Sequence, residues 1–193
     1  MNIKYYLQAD YLPIPLIAAM ILTRFHHFGD VLHLPDASLA VFFFAGFYRK
    51  KMLLGFLMAL AALIDYVAIS NGTSGWCVTP AYVFLIPTYA SMWLAGRYCS
   101  HFGAMKSAES MRYLSSIGLL ALATSVAFII SNGSFYLFSG RYSDLSWLQY
   151  FERVAQYYPP YIGSTLIYGI VGYALVKLIK TVAATQDGHK TVS

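Results

Sequence analysis

The side chain best suited to chemistry in this chain is the thiol of Cys77, in the stretch Ser74-Gly75-Trp76-Cys77-Val78-Thr79-Pro80. A thiolate is a soft ligand for transition metals and a strong nucleophile. Free cysteine is also commonly buried as a small apolar residue, so ligand and packing roles both stand for it. Tyr82 follows at the head of an apolar segment and can donate a hydrogen bond to whatever Cys77 holds. Asp65 lies inside another apolar segment, one and a half turns before its end. A carboxylate at membrane depth is costly and marks a functional site by default; the alternative is a structural partner for Arg24 or Arg153. His26, His27 and His33 cluster with Asp30 and Asp36. Adjacent histidines cannot share a metal from a regular helix, and the spacing matches no zinc pattern. No dedicated zinc site is expected, although one histidine remains available to bind a ligand or to orient Cys77.

These residues must be held by something, and composition says what. Hydrophobic residues make up 59% of the 193 and charged residues only 11%, against roughly 25% charged in a soluble domain. Such a chain cannot clothe itself in water. The 17 tyrosines, 13 phenylalanines and 3 tryptophans suit helix ends that meet lipid headgroups. Six apolar segments can be marked, at 5–23, 37–48, 52–69, 81–95, 113–130 and 161–178. Three of them, 52–69, 113–130 and 161–178, reach the roughly 17 residues that a spanning helix needs, whereas 5–23 is interrupted by Asp10, Pro13 and Pro15 and 37–48 and 81–95 are short. The other three need flanking residues or shielding by the bundle. The expected fold is an all-α membrane protein, one domain over 1–193 with six transmembrane helices, and no cleavable signal peptide is read at the start.

The net charge of +5 matters less than its distribution. With six spans, Lys4, Arg49, Lys50, Lys51, Arg97, Lys106, Arg112, Lys177, Lys180 and Lys190 fall on one side, and Arg24, Arg141 and Arg153 on the other. Lys and Arg accumulate in cytoplasmic loops, so ten against three predicts that both termini are cytoplasmic. Cys77 then faces outward and Cys99 inward. A disulfide needs Cα atoms within about 7 Å, so the two cannot pair.

Two outer helix ends read alike, Ser70-Asn71-Gly72-Thr73 and Ser131-Asn132-Gly133-Ser134. Asn and Gly both tolerate the left-handed conformation that ends a helix, so both are expected to be stops. The segment 131–160 that follows the second is long for a bare connection and rich in aromatics, including Phe135, Tyr136, Tyr142, Trp147, Tyr150 and Tyr157. It is expected to form an outer lid over the bundle mouth. No P-loop, no nucleophile elbow and no haem-attachment motif is present, so no nucleotide is expected. The positive charge is read as topology and not as a nucleic-acid footprint.

The stretch from Arg24 through Asp36-Ala37-Ser38-Leu39-Ala40 to Phe44-Ala45-Gly46, then Asp65, then Gly75-Trp76-Cys77-Val78-Thr79-Pro80-Ala81-Tyr82, resembles the BtuM-type vitamin B12 transporters. These are similar to the substrate-binding S-components of energy-coupling-factor (ECF) transporters. The general pattern covers most of the chain, and the diagnostic part covers about 24–82. The resemblance implies a multi-pass protein of the bacterial inner membrane, its site facing the periplasm, that binds cobalamin and takes it up. It implies that Cys77 gives a thiolate to the corrin cobalt and that His27, Asp65, Tyr82 and Arg153 match polar positions around that site. It also implies that the cysteine helps to remove cyanide from cyanocobalamin. Many S-components carry Ala-x-x-x-Ala on the first helix for docking a coupling subunit. This chain has only Ala18-Ala19 there, so coupling to an ATPase module and solitary action both stay open. A reading from another class uses the same residues in an integral membrane thiol enzyme, with Cys77 acting on a lipid-phase substrate and Asp65 or a histidine as base.

Overall fold

A computed structural model describes residues 13–25, 34–47, 51–102, 109–142 and 144–190. Seven α-helices and no strand occur among them. They are α1 (Pro13–Arg24), α2 (Ser38–Phe47), α3 (Lys51–Ser70), α4 (Leu85–Phe102), α5 (Glu109–Phe138), α6 (Trp147–Ala155) and α7 (Tyr158–Lys190). Two 3-10 turns, Gly75–Cys77 and Pro80–Phe84, link α3 to α4.

Prolines set some of these starts. Pro159 and Pro160 stand in the first turn of α7, and Pro87 stands in the first turn of α4. A first-turn amide has no intrahelical acceptor, so a residue without one is tolerated there. The start of α2 is held differently, because the Asp36 carboxylate accepts the Ser38 amide at 2.9 Å.

Helix α2 is the axis of the bundle. Eight of its ten residues are buried, as a helix apolar on all sides requires. It crosses α4 at a glycine pair. A Cβ on Gly96 would overlap the Phe43 carbonyl, and one on Gly46 would overlap the Trp93 carbonyl. The two backbones therefore touch, as small residues permit in membrane helix pairs. Phe42 stacks on Tyr89 beside this crossing, with centroids 4.2 Å apart.

Helices α3 and α5 show the opposite pattern. In α3 only one stripe, Leu53, Leu57, Ala61, Ile64 and Ala68, is buried. Met52, Phe56, Leu63, Tyr66 and Val67 stand exposed. In α5, Leu114, Leu122 and Ile129 do the same. Large apolar surface of this kind is stable against lipid and costly against water. By length and composition, 51–70 and 113–138, with mean hydropathies of 2.3 and 2.0, can each cross a bilayer. The shorter apolar helices α1 and α2 pack beside α3. The protein is thus all-helical, with two candidate membrane-spanning helices among the described residues.

The two Asn-Gly pairs part company. At the first, Gly72 adopts φ 97°. The Thr73 amide reaches back to the Ala68 carbonyl, and the Gly72 amide to that of Ile69, each at 3.1 Å. This is the double hydrogen bond of a Schellman stop. At the second the expected stop is absent, and α5 runs on through Asn132-Gly133 to Phe138. The chain turns instead at Gly140, φ 69°. The physical reason lies in tertiary contacts. The Asn132 carbonyl accepts the Tyr150 hydroxyl at 2.6 Å, and Tyr136, one turn further along, packs on Trp147 and Tyr150. These contacts hold the extra two turns helical. The region expected as an outer lid is therefore the tip of α5, a short link and α6. Helix α6 is fixed at its start by a capping box between Ser146 and Gln149.

Candidate ligand-binding site

One end of the bundle opens into a cavity of about 1110 Å³. Its wall is built from the last turn of α1, the residues leading into α2, the C-terminal part of α3, both 3-10 turns, the first turns of α4 and α7, the tip of α5, and α6.

At its base sits Arg24, whose side chain is 9% exposed. The guanidinium grips Asp65 with two parallel bonds, Nε to Oδ1 at 2.7 Å and Nη2 to Oδ2 at 2.6 Å. Its Nη1 donates to the Tyr89 hydroxyl at 2.6 Å, to Ser38 Oγ at 3.1 Å and to Asp36 Oδ2 at 3.3 Å. The planar fork of arginine matches a carboxylate in this bidentate way, and a lysine cannot reproduce it. Tyr82 completes the cluster by donating its hydroxyl to Asp65 Oδ2 at 2.5 Å. Asp65 therefore receives three donors and is paired with Arg24 and not with Arg153.

The 3-10 turn that carries Cys77 lies between α3 and Tyr82. Ser74 caps it by accepting the Trp76 amide at 3.3 Å, and the Val78 amide closes it on the Gly75 carbonyl at 2.9 Å. Trp76 lines the cavity. The backbone thus brings position 77 to the rim, while the Cys77 side chain lies outside the described residues, as do His26, His27, Asp30 and His33. Among the described residues, His, Cys, Asp and Glu do not gather in threes.

The lid side of the cavity is aromatic. Arg153 lines it and lies 5.5 Å from the Tyr142 ring centroid. Tyr150 is buried, and burial, with Tyr142 beside it, pushes its hydroxyl up to about 12. On the rim, Arg141 lies 3.5 Å over the Trp76 ring, joining the link before α6 to the Cys77 turn. Among the described residues the charged lining groups are Arg24, Arg153, Asp36 and Asp65, two of each sign.

Asp65, Tyr82 and Arg153 all line this one cavity. Sequence reasoning named Arg24 only as an optional partner and did not see Asp36, Ser38 or Tyr89 as part of the cluster. The available signal was an arginine closing an apolar helix, with no other basic residue between it and Lys4. Comparison with known protein families and with curated proteins finds no match to this chain.

Proposed function

We propose that this protein is a six-span membrane transporter of the S-component type that binds cobalamin from the periplasmic side of the bacterial inner membrane. Both termini would be cytoplasmic. The observation that carries the reading is the cavity itself. Its volume of about 1110 Å³ lies just above the roughly 300–1,000 Å³ of a site for a drug-sized ligand, so it has room for a large ligand. Among the described residues its charges cancel, and its walls mix carboxylate, arginine, hydroxyl and aromatic groups. That lining suits a large neutral ligand edged with amides, which need donors and acceptors together, better than it suits a phosphate or an acyl chain.

Position 77 stands at the rim of this cavity, beside Trp76. In the proposed complex the Cys77 thiolate binds the corrin cobalt on one axial face, and Tyr82, Asp65, His27 and Arg153 surround the corrin or orient the cysteine. A strongly donating thiolate weakens the bond on the opposite face. Cyanide of cyanocobalamin would leave there with its electron pair. Within the described residues the rival thiol-enzyme reading lacks a free base at Asp65, since three hydrogen bonds already occupy that carboxylate.

Purification in detergent with hydroxocobalamin, followed by absorbance spectroscopy, tests the proposal. The wild-type protein is expected to retain coloured ligand with a cobalt band shifted by thiolate. Cys77→Ala is expected to lose the shift and to reduce uptake of labelled cobalamin in cells. A colourless wild-type protein, or an unchanged band in Cys77→Ala, would overturn the coordination claim.

A further inference from the structure

The loop 71–81 carries Cys77, and among the described residues a single side-chain hydrogen bond closes its base. That bond is the Tyr82 hydroxyl on Asp65 Oδ2. Asp65 lies on α3, before the loop, and Tyr82 lies after it in the 3-10 turn Pro80–Phe84. Between Ser74 and Tyr82 the backbone makes only local turns, Val78 to Gly75 and Tyr82 to Thr79. A further tie is the Arg141 stack on Trp76 at the exposed rim. The Pro80–Phe84 turn is also packed on α5, where Phe84 stacks on Phe138 with centroids 4.9 Å apart, so the Asp65 carboxylate is the tie that holds the Cys77 turn to α3.

Arg24 decides where that carboxylate stands. Its fork fixes both Asp65 oxygens, and its remaining donors anchor it to α4 through Tyr89 and to the start of α2 through Ser38 and Asp36. Without Arg24, Asp65 would be a half-buried charge with one neutral partner, and it would turn toward water. Tyr82 would lose its acceptor, and the loop its closure.

We infer that Arg24 is the positioning residue for the Cys77 turn, acting through Asp65 and Tyr82 as one relay. It touches no reacting atom. The inference rests on the cobalamin reading in one respect, since it says what holds the metal-binding thiol in register. Its physical content, however, concerns the loop and can be read without cobalamin.

The test uses full-length protein in detergent, in a Cys99→Ala background so that Cys77 is the sole thiol. The first readout is the rate of Cys77 alkylation by a small maleimide, measured for Arg24→Gln, Tyr82→Phe and the two combined. A relay predicts that each single variant changes the rate by a similar factor, roughly tenfold as the loss of a charge-assisted closure worth about 1.4 kcal/mol would give. It also predicts that the double variant adds little, because both break the same chain. Factors that multiply, or a Tyr82→Phe rate equal to wild type, would overturn it. Arg24→Gln leaves an unpaired carboxylate; if that variant does not fold, Arg24→Gln with Asp65→Asn removes both charges and serves in its place, with the same coupling to Tyr82→Phe expected. A merely structural arginine would lower the melting temperature and leave the alkylation rate of the surviving folded protein unchanged. The second readout is the cobalt band with hydroxocobalamin, which should shift alike in both single variants. Coupled alkylation rates with a colourless wild type would sink the cobalamin reading and leave the relay standing. A coloured wild type with uncoupled rates would do the reverse.

Discussion

The contact of α2 with α4 is the part of this fold with least room to adjust, and Gly96→Ala tests it. A Cβ at Gly96 would fall inside the Phe43 carbonyl oxygen and 3.3 Å from the Gly46 Cα. A backbone carbonyl in a buried helix cannot rotate aside as a long side chain would. The helices must separate, or the substitution is not accommodated. Overpacking of this kind costs about 1–3 kcal/mol, and a backbone obstacle places it at the upper end. At about 3 kcal/mol the melting temperature of a chain this size falls by roughly 6–12 °C. The loss should reach the cavity, because Tyr89 lies on α4 two turns before Gly96. Moving α4 away from α2 loosens the Phe42–Tyr89 stack and the Arg24–Tyr89 hydrogen bond. Gly55→Ala is the control. Position 55 lies in α3, and a methyl group there would meet nothing within 4 Å, so helix propensity alone should stabilise the variant by up to about 1 kcal/mol. Thermal unfolding in detergent, followed by size-exclusion recovery, gives both values. A Gly96→Ala melting temperature within about 1 °C of wild type, or an equal loss in Gly55→Ala, would refute the close crossing.

Gly72→Ala should cost about 1–2 kcal/mol because φ 97° is left-handed, whereas Gly133→Ala, inside α5 with no neighbour near its Cβ position, should be neutral or stabilising; equal effects would mean that both Asn-Gly pairs end helices alike. The Tyr150 hydroxyl is raised from 10 to about 12, so its contribution to lid docking is complete below pH 10 and is lost as pH climbs toward 12. Tyrosinate absorbance, taken as the difference between wild type and Tyr150→Phe, should show that late titration, and a midpoint near 10 would contradict the buried position. Trp76→Ala removes the Arg141 stack, worth about 0.5–1 kcal/mol at an exposed site. Hydrogen exchange across 139–146 should accelerate, and Arg141→Gln should do the same; no change in either would show that the rim contact does not hold the link.

How much of this was legible depends on the range over which the decisive interaction acts. Asp65 and Tyr82 could be singled out because a carboxylate inside an apolar helix announces itself locally. Their hydrogen bond spans only one helix end and one loop. The Schellman stop at Gly72 was legible for the same reason, since its donors and acceptors lie within six residues. The identical Asn-Gly signal at 132–133 misled because Tyr150 and Trp147, from a later helix, hold α5 straight through it. The Arg24 cluster was the hardest to see. Its partners Asp36, Ser38, Asp65, Tyr82 and Tyr89 come from four parts of the chain, and no spacing rule links them.

The arginines point to a reason why the site could still be found. Charge counting uses Lys and Arg as markers of topology, and the three exceptions are treated as noise. In the structure all three meet at one cavity. Arg24 is bound to two carboxylates, Arg141 lies on Trp76 and Arg153 on Tyr142. At the opposite end, Lys51 begins α3, Arg97 lies over Trp93 toward the end of α4, and Lys177 lies over Tyr113. A cation on the sparsely charged end runs against the bias that orients a membrane protein, so a specific partner must hold it there. Each of the three has one, and each partner is a cavity-lining residue or sits beside one. The minority charges thus locate the cavity end of the bundle more directly than any motif in the sequence. The same logic makes a prediction about replacement. Exchanging Arg24 for lysine keeps the topological charge and loses the fork, so orientation in the membrane, read by labelling from either side, should survive while ligand retention does not. Retention equal to wild type in Arg24→Lys would show that the charge alone suffices.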